Sequence, residues 1–226
     1  MSTETLPGVA VRRGEAPSAD TAADRQPQAA GDRSTFRTRV RSDVARYGGT
    51  LDALSMPGFW ALLIHRVAHA LHSHRLDLPA RGLQLLSQVA LRCDISRKAV
   101  LGPGIQIFHA SGIFIGPHTR IGRDATVGPE VFVGCNTRWN DWRDYPVIGD
   151  RVILGPGAKV IGGLTIGADT RVGPNAVVMS SVPPWSVVAA APCRVMSRQA
   201  WSRATSDRPE SQTSAGGDSP LQGQGR

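Results

Sequence analysis

The sequence predicts a mainly β fold: a left-handed parallel β-helix of hexapeptide repeats preceded by a small α-helical segment. Three observations predict it. From Ile95 onward the residues fall into units of six that open on an aliphatic residue, most often followed by Gly. Between Phe36 and Arg92 the apolar residues recur instead at steps of three to four. The stretches outside these two regions are polar and without period.

In chain order, residues 1–33 are rich in Ala, Asp, Arg, Pro, Gly and Gln and are expected to form a disordered tail, because they bury too little apolar surface to offset ordering entropy. Residues 34–92 make the helical segment. Phe36, Val40, Val44 and Tyr47 mark a short amphipathic helix that Gly48-Gly49 ends. Pro57 suits a helix start and leads Phe59, Trp60, Leu62, Leu63, Val67, Ala70 and Leu71; a third helix spans about Pro79 to Leu91.

Residues 93–197 make the β-helix. Its units are LGPGIQ (101–106), IFHASG (107–112), IGPHTR (115–120), IGRDAT (121–126), VGPEVF (127–132) and VGCNTR (133–138), then IGDRVI (148–153), LGPGAK (154–159), VIGGLT (160–165), IGADTR (166–171) and VGPNAV (172–177). Six residues supply a short strand and a turn, so three units close one triangular coil, with the leading aliphatic residues stacked inside. The Gly is expected to relieve unusual backbone angles at the turn. Two breaks interrupt the register: an insertion read as Ile113-Phe114, and the polar, aromatic loop 139–147, WNDWRDYPV. Loops that leave a solenoid wall commonly carry function. Residues 198–226 are expected to form a second disordered tail.

Composition excludes several function classes. The net charge of +8 is almost entirely arginine, scattered with no dense basic run, which does not describe a nucleic-acid surface. Three separated cysteines, Cys93, Cys135 and Cys193, fit neither a disulfide framework nor a zinc site. His65 and His69 lie four apart, but a zinc-protease helix needs Glu after the first His and Arg66 stands there, so no metal is expected. No apolar run reaches the ~20 residues of a membrane span, and the N-terminus carries no apolar signal region, so the cytoplasm is the expected location.

GFWALLIHRVAHAL (58–71), DIS (94–96), FHASG (108–112), GPGAKVIGGLTIGADTRVGPNAVV (155–178) and VPPWSVVAAAPCRV (182–195) together resemble the serine acetyltransferases, over roughly residues 36–197. The resemblance implies a homotrimer with acetyl-CoA in the groove between neighbouring β-helices, and direct transfer without an acetyl-enzyme; a dimer of trimers is left open. It implies His109 as the general base and Asp94 as the carboxylate that orients it. An imidazole with its ordinary pKa near 6.5 accepts a hydroxyl proton at neutral pH, and an adjacent carboxylate fixes its tautomer. It also implies Gly155, Pro156, Arg171, Gly173, Pro174 and Arg194 as contacts for coenzyme A, although turn chemistry accounts for Gly and Pro equally well.

The expected acceptor region comprises Phe108, Tyr47, Trp142, Arg143, Asp144 and Tyr145. Here the chain departs from the family pattern. Phe108 replaces an Asp before the base, Tyr47 stands in place of the Asp of Arg-Asp-Pro, and Asp144-Tyr145-Pro146 replaces Arg-His-Pro. Arg143 is the available substitute for the missing Arg. Because these changes remove the acids expected around an ammonium group, the leading expectation is an acceptor of the sugar or polysaccharide type, with Trp139, Trp142 and Tyr145 stacking on a sugar face. Serine is the alternative, and a non-catalytic trimeric scaffold is the third. The chain ends Gly-Gln-Gly-Arg rather than in the Ile through which relatives bind a partner enzyme, so no such complex is expected.

Overall fold

The computed structural model describes residues 35–136, 141 and 144–190. Both expected tails, Trp139, Asn140, Trp142, Arg143 and Arg194 lie outside the described residues. Four helices precede the strands: α1 (Phe36–Arg46), α2 (Thr50–Ser55), α3 (Pro57–Ser73) and α4 (Asp77–Leu91). The Thr35 side chain caps α1 by accepting from the Thr38 amide, and Pro57 opens α3 at a position where no amide partner is needed. The periodicity shows three of these helices. It misses α2, whose six residues are too few to display a repeat.

The rest is a parallel β-solenoid with three walls. The first sheet stacks β1 (Cys93–Ile95), β4 (Ile113–Ile115), β7 (Phe132–Gly134), β10 (Lys159–Ile161) and β13 (Val177–Val178). The second stacks β2 (Val100–Leu101), β5 (Arg120–Ile121), β8 (Val147–Ile148) and β11 (Thr165–Ile166). The third stacks β3 (Gln106–Ile107), β6 (Thr126–Val127), β9 (Ile153–Leu154), β12 (Arg171–Val172) and β14 (Val187–Val188). Leading aliphatic residues form the interior ladders, such as Leu101, Ile121, Ile148 and Ile166 on the second sheet, all at most 1% exposed. Each such side chain contributes about 1.5–3 kcal/mol by leaving water.

Pairing corrects two expectations. Ile113-Phe114 is not an insertion: both lie in β4, where Phe114 pairs with Asp94 on one side and Phe132 on the other. Gln106 pairs with Thr126 and Phe114 with Phe132, which leaves two extra residues in the corner Phe108–Gly112. The glycines that follow the aliphatic residues also have another reason than unusual angles. Gly102, Gly122, Gly149 and Gly155 have no positive φ. They are needed because successive coils touch there: a Cβ on Gly102 would lie 2.6 Å from the Gly122 carbonyl carbon, and one on Gly122 2.7 Å from that of Gly149. Left-handed turn positions fall elsewhere in the coils, on other glycines such as Gly104, Gly112 and Gly157 and on Asp124, Glu130, Arg151, Asp169 and Asn175.

The helical segment closes the open end of the solenoid, where β2 and β3 would otherwise present unpaired backbone groups. Arg66 is 4% exposed; its Nε donates to Asp43 Oδ2 at 3.0 Å, its Nη1 to the Leu101 carbonyl at 2.6 Å, and its Nη2 to the Gly102 carbonyl. Asp43 Oδ1 accepts in turn from the Ile105 amide at 3.0 Å. Burial pushes the Asp43 carboxyl up, against the pull of Arg66 and the Ile105 amide. Tyr47 does the same for β3: its hydroxyl donates to the Ile107 carbonyl and accepts from the Ile107 amide, each at 2.9 Å. A Cβ on Gly58 of α3 would overlap the Ile107 carbonyl, so only glycine lets this helix rest on β3.

Two predictions arise from these seals. Arg66→Met strands a buried carboxylate and is expected to lower unfolding free energy by about 3–5 kcal/mol in urea titrations, with much of it regained in Asp43→Leu/Arg66→Met; a loss under about 1 kcal/mol contradicts the seal. Burial pushes the Tyr47 hydroxyl up to about 12. The native state therefore holds this proton more tightly than the unfolded chain, so the stability it contributes is complete below the unfolded pKa of about 10 and is lost as pH climbs towards 12. Urea midpoints at pH 9 and pH 11 are expected to differ less in Tyr47→Phe than in the parent; an equal difference contradicts this.

Candidate active site

Ile107, Val127, Leu154, Val172 and Val188 are register partners on the third sheet. The residues that follow them therefore stack along the edge where the third sheet turns into the first. Phe108 donates its amide to the Val127 carbonyl at 3.3 Å, Gly128 to Leu154 at 2.9 Å, Gly155 to Val172 at 2.8 Å and Gly173 to Val188 at 2.7 Å. One residue further along each coil come His109, Pro129, Pro156 and Pro174. The expected base and four of the expected coenzyme contacts thus share a single edge of the prism. Successive rungs lie ~4.8 Å apart, which puts Gly155 about two rungs and Gly173 about three from the base. Along this edge a Cβ on Gly128 would sit 2.8 Å from the Pro156 nitrogen, and one on Gly155 2.9 Å from that of Pro174. The wall is bare backbone, and Arg171 stands exposed beside it on β12. Arg194 lies outside the described residues.

His109 is exposed on the enlarged corner, and Phe108 before it is 48% exposed. The corner is anchored at both ends. Tyr47 grips Ile107, and the Gly112 amide donates to the Arg92 carbonyl at 2.9 Å, two residues before Asp94. Asp94 is half-buried in β1, and its Oδ1 accepts from Gln84 Nε2 of α4 at 2.8 Å. Its charge is felt locally: burial first, then Asp94, push the Cys93 thiol up to about 12. The fold brings Asp94 and His109 to the same corner region, but no hydrogen bond joins them among the described residues. Gln84 carries no motif, and only its spacing of ten residues before Asp94 across the α4–β1 turn hints at a role.

The other expected acceptor residues occupy a different edge. Asp144 and Tyr145 lie where the first sheet turns into the second, on the far side of the first sheet from His109. Asp144 is half-buried and donates its amide to the Asp141 carbonyl at 3.1 Å. Tyr145 is 2% exposed; its ring meets His118 edge-on at 5.3 Å and stands where a Cβ on Gly116 would be, 2.7 Å from Tyr145 Cε1. Burial and a hydrogen bond with Cys135 push its hydroxyl up. With Arg120, Val147, Gly163, Leu164 and Thr165, His118 and Tyr145 line a cavity of about 190 Å³. His118 is half-buried against Tyr145. Trp142 and Arg143 lie outside the described residues.

Residues 145–179 match the six-repeat bacterial transferase hexapeptide family. The serine acetyltransferase of Helicobacter pylori strain J99 is 39% identical over 145 residues, covering 64% of this chain and 84% of the relative. That of Escherichia coli K12 is 32% identical over 200 residues, covering 88% of this chain and 71% of the relative. The crystal structure of Neisseria gonorrhoeae serine acetyltransferase in complex with serine aligns with a TM-score of 0.65 at 28% identity, over 74% of this chain and 72% of that one.

These relatives overturn the expectation of a sugar or polysaccharide acceptor, since proteins that match most of the chain are serine acetyltransferases. The physical argument behind that expectation weakens as well. The Tyr145 ring is packed into the wall rather than presented for stacking, and the Tyr47 hydroxyl is engaged by backbone. No helix of the described residues is long and apolar enough to cross a membrane. On sequence and fold together, this chain belongs to the serine acetyltransferase family, the hexapeptide-repeat acyltransferases with a helical N-terminal segment.

Proposed function

We propose that this protein is a serine O-acetyltransferase that takes its acetyl group from acetyl-CoA, with His109 as general base and Asp94 as its orienting carboxylate. The observation that carries the reading is the shared edge: an exposed imidazole at the head of a column of bare backbone at Gly128, Gly155 and Gly173. Such a column accommodates a pantetheine arm along its length, and Arg171 beside it suits the phosphates of the nucleotide end.

In the reaction, His109 withdraws the proton from the serine hydroxyl as its oxygen attacks the thioester carbonyl. The imidazolium formed is stabilised by Asp94. When the tetrahedral intermediate collapses, the carbon–sulfur bond breaks and the imidazolium returns its proton to the departing thiolate. The acetyl group passes directly to serine, and no acetyl-enzyme forms.

We further infer that the working unit is a homotrimer. Within one chain, the corner of Phe108 and His109 and the corner of Asp144 and Tyr145 lie on opposite edges of the first sheet. A neighbouring β-helix is needed for the loop of one chain to face the base of another.

Purified protein should release coenzyme A from acetyl-CoA in the presence of L-serine, and His109→Ala should reduce kcat by about 10²–10⁴-fold. Full activity in His109→Ala, or no turnover with serine, contradicts the reading. The departures from the family pattern make a second prediction. Phe108 sits exposed directly before the base and cannot itself meet the serine ammonium. Phe108→Asp is expected to lower KM for serine about tenfold, the worth of about 1.4 kcal/mol of charge pairing; an unchanged or higher KM shows that the ammonium is met elsewhere.

A further inference from the structure

We infer that Gln84 is a positioning residue of the acetyl-transfer site: its side-chain amide holds the Asp94 carboxylate in the orientation that receives the His109 imidazole. The inference rests on the proposed roles of Asp94 and His109 and deepens them.

Asp94 stands on the first strand of the first sheet, at the end of the solenoid, where no further strand adjoins it. Its backbone is fixed by pairing with Phe114 on the next coil, but on its outer side no coil limits the rotation of the carboxylate. Gln84 supplies that limit. Its Nε2 donates to Oδ1 at 2.8 Å, which engages one carboxylate oxygen and leaves Oδ2 for the imidazole. The amide itself is oriented by two further contacts. Arg97 donates to Gln84 Oε1 from its backbone amide at 3.3 Å and from Nη1 at 3.4 Å. Both are donors without acceptor capacity, so the oxygen of the amide must face Arg97 and the nitrogen must face Asp94.

Arg97 is held in its turn. Its carbonyl meets His69 Nδ1 at 2.9 Å, and its Nε reaches Asp77 Oδ1 at 3.4 Å. A continuous set of contacts therefore runs from α3 and the start of α4, through Arg97 and Gln84, to the carboxylate. The helical segment thus orients a functional side chain as well as closing the solenoid. Among the described residues, the other titratable and charged groups around Asp94 and the corner are Cys93, buried next to it, Arg92 at the turn out of α4, His109 on the corner that Gly112 ties to Arg92, and Glu130, which packs against Ser111 and Gly112 of that corner.

The test is the pH dependence of kcat/KM for serine in Gln84→Glu and Gln84→Leu, alongside His109→Ala. Glutamate keeps the size of the side chain and its contact with Arg97 but sets a second negative charge against Asp94. The extra charge stabilises the His109 imidazolium, and any proton shared by the two carboxylates must also leave, so both effects move the acid limb to higher pH. A shift of about one pH unit in Gln84→Glu is expected, with a roughly tenfold lower kcat and a serine KM within about twofold of the parent in Gln84→Leu. In the unmodified protein, the Gln84 side-chain amide resonances should shift as Asp94 titrates, which needs no variant to fold.

Profiles for both variants that superimpose on the parent, or amide resonances indifferent to pH, overturn the inference. If His109→Ala is inactive while the Gln84 variants behave as the parent does, only the role of Gln84 falls. If His109→Ala is fully active, the reading of the site falls and the role of Gln84 with it.

Discussion

The register of the coils is the constraint on which the rest of this protein depends. Backbone hydrogen bonds such as Gly102 to Ile121, Gly122 to Ile148 and Gly155 to Val172, each 2.8 Å, tie every coil to the next. They force equivalent residues of successive units into straight columns. Inward columns become the aliphatic core. At the edges, the same rule stacks glycine on glycine, because adjacent backbones come too close for a Cβ. The glycine column of such an edge is free of side chains and rich in backbone polar groups. The proposed site is one of these edges with a single change at its head: two extra residues in the corner that carries the exposed His109.

A stacked solenoid leaves its first coil with open strand edges, and the helical segment answers this with three polar contacts of different kinds. Arg66 covers carbonyls at the end of the second sheet, Tyr47 covers the amide and carbonyl of Ile107 at the end of the third, and Gln84 meets the Asp94 side chain at the end of the first. Two of the three lie within two residues or one hydrogen bond of the proposed base and its carboxylate. The same helices therefore close the fold and reach the proposed site, which gives a reason for the proposed catalytic corner to lie on the first coil and not in the middle of the stack.

Much of this was legible in the residues. A strict period of six over eleven units leaves few alternatives to a three-walled solenoid, and Pro57 marks its helix because proline suits a first turn. The motif FHASG is singled out by its resemblance to the family and not by the period, in which IFHASG reads as a regular unit; the break falls inside it rather than at Ile113-Phe114, which are as apolar as any wall pair and are assigned to β4 only by their pairing to Asp94 and Phe132. The hydroxyl of Tyr47 and the amide of Gln84 were beyond reach, because neither contact follows from local periodicity: Tyr47 meets a backbone sixty residues away. The acceptor is misread from sequence for a related reason. Substitutions at Phe108 and Tyr47 point to a changed pocket only if each side chain faces a ligand, whereas the fold gives Tyr47 a backbone partner and seals Tyr145 inside the wall.

The claim that one edge of the prism holds both the base and the acetyl donor is tested most directly by a crystal structure of the protein with coenzyme A. The pantetheine arm is expected to lie against Gly128, Gly155 and Gly173, with its sulfur within reach of a His109 imidazole. Coenzyme A seated on either of the other two edges, or with its sulfur remote from every His109, would contradict it.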